Sequence, residues 1–102
     1  MVLLDFSLVP LNRGESVSPY VARCLQIIDR SGLEYRLHAM GTTVEGEIDE
    51  VLAVLKACLE ELATDCERIT CTAKLDYRKA AVDRLEGKVR SVEQRLGRRL
   101  KT

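Results

Sequence analysis

An α+β sandwich, in which helices cover one face of a four-stranded antiparallel sheet, is the fold class this sequence predicts. Three observations predict it. Residues 2–9, 33–39 and 67–78 alternate along the chain at a period of two, and a short extended run occupies 42–46. Two other stretches, 21–28 and 48–62, repeat apolar residues every three or four positions, as amphipathic helices do. Their order along the chain is β-α-β-β-α-β, two split βαβ units, which specifies a ferredoxin-like arrangement.

In the first strand, Val2, Leu4, Phe6 and Leu8 share one face, while Leu3, Asp5, Ser7 and Val9 share the other. Pro10 stops it. Ser18-Pro19 supplies an N-cap with proline at the first helical position, and Val21, Cys24, Leu25 and Ile28 form the apolar stripe of that helix. Ser31-Gly32 ends it. Leu33, Tyr35, Leu37 and Ala39 then alternate with Glu34, Arg36, His38 and Met40. Met40-Gly41 reads as a tight reversal into Thr42–Gly46, making a hairpin.

Glu47, Asp49 and Glu50 favour a helix start through the dipole, and Ile48, Val51, Leu52, Leu55, Cys58, Leu59 and Leu62 carry that helix to about residue 64. The last strand sets Ile69, Cys71, Ala73, Leu75 and Tyr77 against Thr70, Thr72, Lys74, Asp76 and Arg78. Asp5, Ser7, Arg36, His38, Thr70, Thr72 and Lys74 are thus expected on a polar sheet face with no helix over it. The expected organisation is a single domain over 1–102, with the sandwich in 1–78 and an amphipathic helix in 80–98. In that helix Val82, Leu85, Val89, Val92 and Leu96 form an apolar seam at spacings of three and four. The seam suits packing against another subunit or a sheet edge, with folding back on its own sandwich as the alternative.

Composition narrows function. Sixteen basic and sixteen acidic residues cancel, which argues against a general nucleic-acid binder. Four aromatic residues, Phe6, Tyr20, Tyr35 and Tyr77, supply little for base stacking. No run approaches the ~20 apolar residues of a membrane span. Met1–Asp5 lacks the basic flank of a leader peptide, so a cytoplasmic protein is expected. Cys24, Cys58, Cys66 and Cys71 show no metal-site spacing and read as reduced structural thiols, with a Cys66–Cys71 pair as the alternative. No metal and no cofactor is implied.

The stretch from Met40 to Val51 joins a turn, a short strand, a carboxylate, a glycine and an acidic helix start. It brings hydroxyls, a carboxylate and bare backbone together without a nucleophile–base pair, which suits binding of a small polar or cationic molecule. His38 is the one histidine, and a general base would need a geometric partner that the sequence does not supply. Asp76 and Arg78 read as a structural ion pair. Arg95, Arg98, Arg99 and Lys101 read as a solvated helix terminus.

Val9-Pro10, Ser16–Ala22, Ser31–Tyr35, Met40–Glu47, Lys74–Arg78 and Gly87–Glu93 together resemble the thiamine-binding protein-like family, most specifically in Met-Gly-Thr-x-x-Glu-Gly at 40–46. The resemblance covers nearly the whole chain. It implies a ferredoxin-like fold, assembly into dimers or tetramers, and non-catalytic cytoplasmic binding of thiamine or its hydroxymethylpyrimidine moiety. After Arg78 the chain departs from the family pattern, since Lys79-Ala80-Ala81 runs directly toward a helix. For such a ligand, Glu45 would attract the cationic thiazolium ring, with Gly46 beside it. Thr42 and Thr43 would match the aminopyrimidine, and Met40 and Gly41 belong to the same expected ligand-binding segment. Asp5 and Ser7 would line the same groove, and Ser18 and Tyr20 would close it from the first helix. Two rival functions stay open: a small dimeric enzyme using His38, and an RNA-binding or assembly module using the basic tail.

Overall fold

The computed structural model describes residues 1–80 and 82–102. Its elements are β1 (Val2–Pro10), α1 (Ser18–Arg30), β2 (Glu34–His38), β3 (Gly41–Gly46), α2 (Ile48–Ala63), β4 (Ile69–Tyr77) and α3 (Arg84–Leu96). The sheet runs β2-β3-β1-β4, and every neighbouring pair is antiparallel. This is the ferredoxin-like α+β fold that the order of periodicities predicts.

Alternation explains the two faces. Val2, Leu4, Phe6 and Leu8 of β1 are buried beneath the helices, beside Val44 of β3. Cys24 and Ile28 from α1, and Val51, Val54, Cys58 and Leu62 from α2, close the core from above. Full burial of side chains such as Leu4, Ile28 and Leu62 contributes on the order of 2 kcal/mol each. All four cysteines are free thiols; three are buried and Cys71 is exposed.

Local chemistry fixes the helix ends. Glu47 and Glu50 form a reciprocal capping box at the start of α2, with the Glu47 N–H donating to Glu50 Oε1 at 2.9 Å. In α1 the N-cap is Val17, not Ser18, and Pro19 sits in the first turn. The start of α1 therefore has no side-chain capping bond, and Ser18 is its first helical residue and not its cap. Arg23 of α1 binds across to α2, donating to Glu61 Oε1 at 3.2 Å and Asp65 Oδ1 at 3.1 Å. The Arg23 guanidinium holds the Asp65 carboxyl below its ordinary range, and Asp65 in turn raises Arg23.

Two departures from the sequence reading matter for function. The hairpin reverses at Ala39-Met40, one residue earlier than Met40-Gly41, so β3 begins at Gly41. The last helix begins at Arg84 and is shorter than the expected 80–98, because Ala80 and Asp83 take left-handed backbone angles; Ala81 lies outside the described residues. The first turn of α3 docks on the polar sheet face, where Arg84 pairs with Asp76 and Glu86 with Arg36. Asp76 thus pairs with Arg84 rather than with Arg78. The rest of α3 extends outward with no buried residue. The radius of gyration is accordingly 15.0 Å, against about 13 Å for a compact chain of this length.

Candidate functional site

Strand lengths create the cleft. β1 pairs with β4 along its full length, from Val2 to Pro10. It pairs with β3 only from Val2 to Phe6, because the hairpin turns back at Met40. Beyond Phe6 the space beside β1 is left to a cleft of about 880 Å³. The hairpin tip closes one side, α1 the other, and Ser7, Leu8 and Val9 form the floor. Its size is in the range of small-molecule sites.

The walls are mainly apolar. Val21 and Leu25 come from α1, Val17 from the turn before it, and Leu37 from β2. Met40, at the tip, is 84% exposed and stands at the mouth. Thr42 is the buried polar residue of this region, 4% exposed. Gly41 passes so close to β1 that a Cβ there would lie 2.7 Å from the Phe6 carbonyl oxygen.

Five of the ten residues proposed from sequence therefore converge on one cleft: Ser7, Ser18, Met40, Gly41 and Thr42. The other five go elsewhere. Glu45, only 5% exposed, lies on the opposite sheet face and accepts the Leu85 N–H at 3.1 Å, so it caps the docked end of α3. It does border a separate cavity of about 440 Å³, together with Met1, Glu34, Arg36 and Glu86. Gly46 packs against Leu33 and Val51, and Tyr20 packs on the core with Arg23 over its ring.

Asp5 and Thr43 join His38 on the open face. Thr43 Oγ1 donates to Asp5 Oδ1 at 2.8 Å, and His38 Nε2 lies 2.9 Å from the same oxygen. The Met40 N–H donates to His38 Nδ1 at 3.3 Å, which places the proton of a neutral ring on Nε2. The His38 hydrogen bond, with help from Thr43, holds the Asp5 carboxyl below its ordinary value. Both imidazole nitrogens are thus engaged, and the ring ties the hairpin tip to β1. Among the described residues, no group of three or more His, Cys, Asp or Glu side chains is placed to hold a metal.

The sequence reading missed the apolar half of the cleft. Val17, Val21, Leu25 and Leu37 read as ordinary core or strand residues. A usable signal was the mismatch between a nine-residue first strand and a six-residue partner, which leaves the end of β1 unaccompanied.

The model of the thiamine-binding protein family matches residues 4–93. The chain belongs to that family. A UPF0045 protein of Synechocystis sp. is 41% identical over 93 residues, spanning 90% of this chain and 77% of that one. Among solved structures, a hypothetical protein of Methanocaldococcus jannaschii superposes with a TM-score of 0.83 at 31% identity, covering 91% of this chain and 96% of the other. A candidate thiamine biosynthesis/salvage protein of Thermotoga maritima shares the fold, with a TM-score of 0.78 at 24% identity over 89% of this chain and 97% of that one. The cleft thus lies in a thiamine-binding protein family chain, and the 40–46 segment that carried the resemblance forms its rim and the strand behind it. Among the described residues no helix is long and apolar enough to cross a membrane.

Proposed function

We propose that this chain is a non-catalytic binding protein for thiamine or its hydroxymethylpyrimidine moiety, acting in the cytoplasm as a carrier or sensor. One observation supports it most: the residues of the Met-Gly-Thr run, with Ser7 and Ser18, meet around an apolar cleft large enough for a substituted ring. An apolar slot with a few polar groups suits a flat heterocycle, whose faces pack while its edges form hydrogen bonds. The engagement of both His38 nitrogens weighs against the enzyme alternative. The balanced net charge weighs against an RNA-binding role.

Calorimetric titration with thiamine, its phosphates and hydroxymethylpyrimidine tests the reading. Ala22→Leu, which builds into the cleft from α1, should abolish the heat, and Ser18→Ala should weaken it. Silence from every ligand at high protein concentration sinks the proposal. Unchanged binding by Ala22→Leu moves the site elsewhere.

Assembly into a dimer or tetramer belongs to the same reading. Leu75 and Tyr77 of edge strand β4 face the helical side yet are 49% and 65% exposed, and Leu52 and Leu59 of α2 are exposed as well. Exposed large apolar side chains at an open sheet edge support a protein contact there. Light scattering after gel filtration should return a mass two or four times that of the chain, and Leu75→Glu with Tyr77→Glu should lower it.

A further inference from the structure

The register of β1 leaves both the N–H and the C=O of Leu8 without a strand partner, and that position lies in the cleft. In an antiparallel ladder, successive residues direct their N–H and C=O alternately to the neighbour on either side. The Leu11 N–H donates to Arg68 O at 2.8 Å and the Arg78 N–H to Met1 O at 3.1 Å, at the two ends of the β1–β4 ladder. Odd-numbered residues of β1 therefore face β4, and even-numbered ones face β3. Val2, Leu4 and Phe6 meet Gly46, Val44 and Thr42.

Leu8 would meet Met40, but the chain has already turned there. Among the described residues no backbone hydrogen bond joins the two. Pro10, the next even position, has no N–H to offer. Leu8, 7% exposed and part of the cleft floor, thus presents an N–H beside a C=O with no partner for either. Buried backbone groups are almost always paired, so such a position has a strong demand for a matching ligand edge.

We propose that the Leu8 N–H and C=O are the recognition edge of the cleft, and that they take a planar heterocycle bearing an exocyclic amine next to a ring nitrogen. This rests on the reading of the cleft as the ligand site. The ring nitrogen accepts from the Leu8 N–H, and the amine donates to the Leu8 C=O, replacing the strand residue that is missing there. Val21 and Leu25 from α1 and Leu37 from β2 supply apolar surface around the ring. A ring without the amine leaves the Leu8 carbonyl without a ligand donor. Sites built this way reject analogues that lack the matching group.

Amide exchange followed by nitrogen-resolved NMR reads this edge directly, in the unmodified chain. In the free protein the Leu8 amide should exchange faster than those of Leu4 and Phe6, which bond to β3. Saturation with hydroxymethylpyrimidine should slow it at least tenfold, and the analogue with methyl in place of the amine should bind about tenfold more weakly. A Leu8 amide that is already slow in the free protein overturns the proposal. So does binding of the pyrimidine with no slowing at Leu8, while the cleft reading survives if Ala22→Leu still blocks that binding. If no pyrimidine binds at all, both fall together.

Discussion

Gly41 and Phe6 are in backbone contact: a Cβ built on Gly41 would stand 2.7 Å from the Phe6 carbonyl oxygen. Backbone is the wrong neighbour for a new methyl, because it cannot swing aside as a side chain would. Gly41 is therefore set by space and not by backbone angle. Gly41→Ala should push the hairpin away from β1, at a cost of about 1–3 kcal/mol, as overpacking does. Each kcal/mol lowers Tm by roughly 4–8 °C in a domain of this size. A melt unchanged within error would show that the hairpin yields freely.

Gly87 gives the opposite forecast. It lies inside α3, nothing stands within 4 Å of a Cβ placed there, and its backbone is not left-handed. Alanine at such a position gains about 0.5–1 kcal/mol of helix propensity. Gly87→Ala should increase helical circular dichroism and raise Tm slightly. Loss of stability would mean that α3 meets a partner surface at Gly87 in solution.

How much was legible follows from which signals are local. Period-two runs at 2–9 and 67–78 and the 3–4 spacing from Val51 to Leu62 carry their own face assignments, so the element order along the chain and the layers could be read directly. Sheet faces were legible too: the register puts Asp5, Arg36, Thr43 and Lys74 on the open side together. The fate of Glu45 was not. Whether a carboxylate on that face meets solvent, ligand or helix depends on where a segment 40 residues later docks. The left-handed Asp83 that starts α3 gives no periodic signal. The cleft was half legible, since Met40, Gly41 and Thr42 stand out as a motif while Val21 and Leu25 look like any helix stripe.

Glu45 can now be tested in the role its contacts give it. Its carboxylate accepts from the Leu85 N–H in the first turn of α3, where negative charge is also favoured by the helix dipole. Glu45→Ala removes both effects and leaves a partly buried donor unpaired, a loss of about 1–3 kcal/mol. Amides from Leu85 to Val92 should exchange faster, with less change in the core strands. Glu45→Gln keeps an acceptor and drops the charge, so its loss should be smaller. An α3 indifferent to both substitutions would return Glu45 to the list of ligand contacts.

The Asp5–His38 pair predicts an acid-side stability difference. Asp5 has its carboxyl held below the ordinary value of 3.8, first by the His38 hydrogen bond. A carboxyl lowered in the folded chain adds stability that is fully present above its unfolded value. That stability fades as pH falls through the folded value. The two side chains are 49% and 43% exposed, so the contribution should resemble that of other solvated pairs, on the order of 0.5 kcal/mol. Denaturant unfolding of the parent and Asp5→Asn should differ by that amount at pH 5, and the curves should converge as pH falls below about 4. A gap that stayed constant to the lowest pH would show that Asp5 acts through packing or neutral hydrogen bonds.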